Sequence, residues 1–180
     1  DLRETFGRVV NLAKQERADI MLLCGDLFDN RMVSRMTLDY LIGKLGEIPE
    51  VRVFVSPGNH DPYNETSYYH LVRWPENVHI FQDRMEKVEI KELNTCVYGR
   101  GFARAHEWQS LLKGFSVDDP TKINLMALHG EAVQPGQESG YNPITPEEIM
   151  ESRLDYLALG HRHSFTGIAK LGETFWAYSG

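Results

Sequence analysis

The sequence predicts an α/β fold in which two β-sheets pack together and helices cover the outside. Three observations carry this. Helical periodicity alternates with short buried strands early in the chain, closely spaced strand signals follow, and four apolar runs end in glycine and polar residues. An amphipathic helix must bury its apolar stripe and a sheet its apolar face, so this order of elements favours layers.

In the opening stretch, DLRETFGRVVNLAKQE, the apolar Phe6, Val9, Val10 and Ala13 follow helical spacing. DIMLLCGD is then a short apolar run stopped by Gly25, the pattern of a strand buried on both faces. Ser34 is an N-cap for a second helix carrying Met36, Leu41, Ile42 and Leu45, and Pro49 lies just past its end. VRVFVSPGNHD repeats the scheme with a β-branched run before Pro57 and Gly58. NVHIF, MEKVEI and NTCVYG are short and close together, as in antiparallel strands, and INLMALHG is a third buried run. Thr145, Pro146 and Glu148 form a capping box for a short helix. LDYLALGH is the fourth run, and FTGIAK with ETFWAYS reads as a hairpin. The chain starts inside a helix without methionine and ends in a strand, so both ends read as cut from a longer protein.

With 180 residues the chain is long enough for one domain, taken here as 1–180, with a real core. Its net charge of −7 argues against nucleic-acid binding through a broad basic face. Bound divalent cations would change that locally, because they add positive charge where a phosphate sits. No apolar segment approaches the length of a membrane span, so no membrane partner is expected. Cys24 and Cys96 lie in or beside apolar runs without Cys-x-x-Cys spacing. They read as buried thiols of a reducing compartment, which places the chain in the cytoplasm.

The four apolar runs end in polar residues of one chemical kind. The first gives Asp26 and Asp29, the second Asn59, His60 and Asp61, the third His129, and the fourth His161 and His163. In open α/β sheets ligands gather at the carboxyl ends of strands, so these residues are expected to converge. Imidazole, carboxylate and amide oxygen together suit manganese, iron or zinc, and the lack of cysteine ligands disfavours a structural zinc site. Gly25, Gly58, Gly130 and Gly160 each adjoin a candidate ligand, where the backbone is expected to turn sharply.

GDLFD, GNHD, a later His-Gly and GHRH, in that order, resemble the signatures of the calcineurin-like metallophosphoesterase superfamily. GDLFDN with GNHDPY resembles its DNA-repair exonuclease branch, typified by the nuclease subunit of the bacterial SbcCD complex, and especially the YhaO-like proteins. The resemblance implies a four-layer αββα sandwich of two mixed sheets and two divalent metal ions, manganese first, with Fe2+ or Zn2+ as alternatives. It implies that Asp26 bridges the metals, that Asn59, His129 and His161 complete one site, and that His163 belongs to the other. It gives His60 to the substrate phosphate, Asp61 to the orientation of the His60 ring, and Asp29 a supporting place. The superfamily's earlier Asp-x-His is missing from this sequence, which the resemblance explains by a first strand lying upstream of residue 1. It further implies a nuclease acting on DNA in repair beside an SbcC-like ATPase, and allows a homodimer. Rival readings are a phosphodiesterase or phosphatase for nucleotides and small phosphoesters, and an inactive scaffold with this fold.

The other histidines carry bland expectations. His70, His79 and His106 read as surface or packing residues, and Arg162 as a solvated arginine. SYYHLVRW reads as a helical face packed on a sheet. Arg100 and Arg104 are too few to steer nucleic acid by charge alone.

Overall fold

The computed structural model describes residues 1–29 and 33–180; Asn30, last residue of the GDLFDN signature, lies outside them. In chain order the elements are α1 (Leu2–Gln15), β1 (Ile20–Leu23), α2 (Arg35–Gly46), β2 (Arg52–Val55), α3 (Tyr68–Leu71), β3 (Val78–Ile80), β4 (Glu86–Ile90) and β5 (Thr95–Gly99). They continue with β6 (Ile123–His129), β7 (Glu131–Ala132), β8 (Pro143–Ile144), α4 (Pro146–Ser152), β9 (Tyr156–Gly160), β10 (Ala169–Leu171) and β11 (Thr174–Tyr178).

Two main sheets form. The first has order β1-β2-β3, the second β10-β11-β9-β6-β5-β4, and β7 pairs with β8 as a small third sheet. Side-chain alternation along β1 and β2 divides the core between two faces. Met21, Val53 and Val55 join Phe6 and Val10 of α1 and Leu38, Leu41 and Leu45 of α2. Ile20, Leu22 and Phe54 turn the other way and meet Val88, Ile90 and Val97 of the second sheet. Tyr98, Met126, Leu128, Leu157 and Leu159 cover the second sheet's far face with Ile149 of α4. The result is helices, sheet, sheet, helix, the expected layering. Each fully buried leucine in these layers contributes about 1.5–3 kcal/mol by leaving water.

Local signals are met where backbone chemistry decides them. The Ser34 side chain accepts from Thr37 N, and Thr145 with Glu148 closes the capping box at α4. The β10–β11 hairpin turns through Gly172 at φ 59. Cys24 and Cys96 are free thiols, Cys96 fully buried.

Other expectations need correcting. The first sheet is wholly parallel, not mixed, because β3 pairs parallel to β2. Parallel neighbours need a crossover, and the long segment carrying α3 supplies it, whereas β4 and β5 adjoin and pair antiparallel. The helical reading of SYYHLVRW shrinks to Tyr68–Leu71, and Tyr69 alone of its aromatic rings is fully buried there. The buried seam of α2 is Leu38, Leu41 and Leu45, while Met36 is exposed. On α1, Val9 is turned outward as Val10 is turned in.

The two sheets touch closely near their carboxyl ends. Ser56 Oγ donates to Ala127 O at 2.6 Å, and Cys24 Sγ donates to Ala158 O at 3.3 Å. Because β1 and β2 run parallel, and β6 and β9 run parallel, the loops after these four strands all leave at strand ends of this kind.

Candidate metal centre

The loop after β1 begins with two left-handed residues, Gly25 at φ 86 and Asp26 at φ 54. Asparagine and aspartate tolerate that region better than other side chains, but it still costs energy that surrounding contacts must offset. Asp61 supplies them. Its Oδ1 accepts from Asp26 N and Gly58 N, each at 2.8 Å, and its Oδ2 accepts from Leu27 N at 2.8 Å and from the Tyr69 hydroxyl. One buried carboxylate thus ties the loop after β1 to the loop after β2. Burial pushes its carboxyl up to about 7, and the bonds from Tyr69 and Gly58 pull the other way.

The resemblance gave Asp61 the orientation of the His60 ring. Among the described residues no hydrogen bond joins its carboxylate to the His60 ring. His60 is exposed, and its backbone N donates to Asp26 Oδ1 at 2.9 Å.

His129 ends β6 and is fully buried. Its Nδ1 lies 2.8 Å from Cys24 O. A carbonyl only accepts, so Nδ1 carries the proton and Nε2 presents a lone pair. Burial holds this imidazole's pKa below the usual range, against the pull of Asp26. The Nε2 lone pair faces Asn59 Oδ1 at 2.7 Å and Asp26 Oδ2 at 3.3 Å. Two loops and the end of β6 thus bring an amide oxygen, a carboxylate and an imidazole nitrogen together, groups that a cation can draw to itself. The donor set fits a divalent metal of the manganese, iron and zinc kind.

His161 brings a fourth candidate. Its ring centroid is 5.2 Å from that of His129, and its other face stacks on Tyr141 at 4.8 Å. Its φ of 113 is a conformation few non-glycine residues adopt, and such outliers gather at functional sites. Burial lowers its pKa as well, with Glu131 opposing. His163 stands exposed, and no hydrogen bond or ion pair joins it to the cluster among the described residues. No group of three or more His, Cys, Asp or Glu side chains among the described residues is arranged to hold a metal. The cluster depends on the amide of Asn59 to reach three donors.

The glycines serve mainly by close approach. Gly25 does turn left-handed, but Gly58, Gly130 and Gly160 do not. A Cβ on Gly58 would lie 2.5 Å from Asp26 Oδ1, and one on Gly160 would lie 2.0 Å from Cys24 O.

An open cleft of about 740 Å³ lies over the cluster, lined by Asp29, Asn59, His60, Thr66, His106 and Tyr141. His106 and Tyr141 are the residues sequence reasoning missed. His106 reads as a surface histidine in RAHEW, and Tyr141 stands in a loop without a motif. The bland expectation holds for His79, which pairs with Glu86 at 3.3 Å. It holds also for Arg162, exposed and 3.9 Å from Glu131.

A two-sheet sandwich with carboxylate, amide and imidazole donors at its strand ends defines an α/β architecture with a candidate metal site. The sequence profile of calcineurin-like phosphoesterases matches residues 1–165, and the chain belongs to that family. The family's chemistry is metal-dependent phosphoester hydrolysis, and its members bind divalent metal ions. An uncharacterized metallophosphoesterase of Bacillus subtilis strain 168, YhaO, is 35% identical over 170 residues. That match takes in 88% of this chain and 41% of the relative, so the chain spans about two fifths of the relative's length. The crystal structure of TT1561 of Thermus thermophilus superposes with a TM-score of 0.63 at 14% identity, covering 98% of this chain and 83% of that one. At that identity the likeness concerns the fold. Among the described residues no helix is long and apolar enough to cross a membrane.

Proposed function

We propose that this chain hydrolyses phosphodiester bonds with two divalent metal ions and that its substrate is DNA. The observation that carries the reading is the facing of the His129 Nε2 lone pair with Asn59 Oδ1 and Asp26 Oδ2, at 2.7 and 3.3 Å. In this reading Asp26, Asn59, His129 and His161 would hold one metal, and Asp26 with His163 would contribute to the other. Manganese is the favoured ion, with iron and zinc as alternatives. When bound, such ions would supply Lewis acidity at phosphorus and would lower the pKa of a water bound to them.

The chain's own residues do the rest. His60 stands exposed on the cleft wall, where its ring meets the phosphate or hands a proton to the leaving oxygen. Asp61 acts at a distance, by fixing the loop backbones that carry Asp26 and Asn59. Cys24 O holds the His129 tautomer, as second partners do for metal-ligating histidines. The likeness to the DNA-repair branch in GDLFDN and GNHDPY supports DNA as substrate and an SbcC-like ATPase as partner.

One observation favours a smaller phosphoester instead. Among the described residues no lysine or arginine lines the cleft over the cluster, so a long polyanion finds little fixed charge there. Manganese-dependent hydrolysis of single-stranded DNA, double-stranded DNA and a small chromogenic phosphodiester, measured side by side, separates the readings. The DNA reading expects far higher kcat/KM on DNA, because remote contacts position the scissile bond. Equal efficiency on all substrates, without salt-sensitive DNA binding, supports the small-substrate reading.

A further inference from the structure

A row of rings leads from the cluster to the surface. His161 stacks on Tyr141 at 4.8 Å, Tyr141 meets His106 at 5.3 Å, and His106 stacks on Trp108 at 5.7 Å with 21° between planes. Backbone pairing builds this row. Glu107 bridges Tyr141 in parallel, with Glu107 N donating to Gly140 O at 2.8 Å and Asn142 N donating to Glu107 O at 2.7 Å. In an extended segment residues two apart share a face, as the stacked rings of His106 and Trp108 do.

Trp108 is 67% exposed. The indole is held against the His106 ring while most of it faces outward. Its inner edge rests over Gly140, where an added Cβ would come 3.2 Å from the indole and 3.1 Å from His106 Nδ1. The indole is therefore seated while most of its surface stays free.

Positive charge stands beside it. Arg100, Arg104, His106, Trp108 and the acidic Glu107 line a second cavity of about 470 Å³ that shares His106 with the cleft beside Asn59. Arg100 Nε is buried there without a hydrogen-bond partner among the described residues. Against the single carboxylate of Glu107, the two arginines leave this mouth of the aromatic row net positive in a chain of net charge −7, a local site for an anion joined to a flat ring.

We propose that His106 and Trp108 form a stacking ledge that takes an unpaired nucleobase of the substrate strand, with Arg100 and Arg104 on its phosphates. The proposal rests on the reading of the substrate as nucleic acid and names which part of that substrate is gripped. Base stacking on an aromatic side chain tolerates any base, so the ledge confers a preference for unpaired strands and not for a sequence. It also provides the remote contact that would place a scissile phosphate over the cluster.

The test is binding of a labelled single-stranded oligonucleotide, and of the same strand made abasic, in chelator so that neither is cut. Wild type, Trp108→Ala and Trp108→Phe are compared by fluorescence anisotropy. Trp108→Ala is expected to weaken binding of the base-bearing strand by roughly five- to a hundredfold. Binding of the abasic strand should stay within about twofold, and Trp108→Phe should restore most of the loss. Equal loss on both strands, no loss on either, or a wild type that binds neither overturns the ledge. Hydrolysis with manganese is then measured on the same strands. Base-dependent binding without cleavage supports the ledge and overturns the DNA-hydrolysis reading, so the two fail separately.

Discussion

His129 Nδ1 lies 2.8 Å from the carbonyl oxygen of Cys24, and this contact fixes which ring nitrogen of His129 faces the cluster. The contact crosses between the two sheets, from the end of β6 to the residue after β1. The packing of the sandwich and the chemistry of the site are thus the same interaction. A shift between the sheets would move the Nε2 lone pair away from Asn59 and Asp26.

The first prediction follows from that packing. Gly160→Ala places a Cβ 2.0 Å from Cys24 O, against backbone that cannot yield cheaply. The variant should lose about 1–3 kcal/mol of stability, as overpacked sites do. Chemical denaturation reads this as a lower midpoint, and an unchanged midpoint would show that the strands separate freely.

Asp61 gives the second. All four bonds to its carboxylate come from donors, so Asp61→Asn turns an amide NH2 toward an N–H or hydroxyl. Leaving one buried donor unsatisfied costs about 1–3 kcal/mol. Because those donors carry the loops of Asp26 and Gly58, metal affinity should fall with stability. A variant that loses turnover but keeps both stability and metal affinity would return Asp61 to the role of orienting His60.

The third separates His60 from the metal ligands. His60→Ala should lower turnover by about 100- to 10,000-fold, the usual worth of a general acid. Manganese affinity should stay near the wild-type value, since the hydrogen bond from His60 to Asp26 is made by its backbone N and survives the substitution. Comparable loss of manganese binding in calorimetry would make the ring a ligand.

Cys24 gives a prediction about pH. Burial pushes its thiol up to about 12 from the ordinary value of 9.0. The folded state keeps this proton while the unfolded state loses it, so stability should fall as pH rises from 9.0 to about 12. In the folded protein Cys24 should resist alkylation at pH values where a free thiol has already ionised, because the thiolate is the reactive form. Mass spectrometry of iodoacetamide-treated protein, folded and denatured, checks this; rapid labelling of folded Cys24 would contradict it.

Much of this was legible in the sequence because it rests on local chemistry. The capping box at Thr145, the cap at Ser34 and the hairpin around Gly172 depend on residues a few positions apart. The convergence of Asp26, Asn59 and His129 followed from each lying just past an apolar run, since strand ends in such sheets gather. What the sequence hid depends on distant pairing. The parallel direction of β3 is set by where the crossover returns, which no residue in NVHIF announces. Asp61 follows His60 in the chain, yet its hydrogen bonds come from Asp26, Leu27, Gly58 and Tyr69, partners that adjacency does not suggest. His106 and Tyr141 meet only through the Glu107–Tyr141 bridge, a contact without a local signature.

The most direct measurement of the central claim is calorimetric titration of manganese into the wild type and His129→Ala. The account predicts saturable binding to the wild type and at least about tenfold weaker binding to the variant, as the loss of a liganding or supporting group gives. A wild type that binds no manganese, iron or zinc saturably, or a His129→Ala variant that binds as the wild type does, would contradict it.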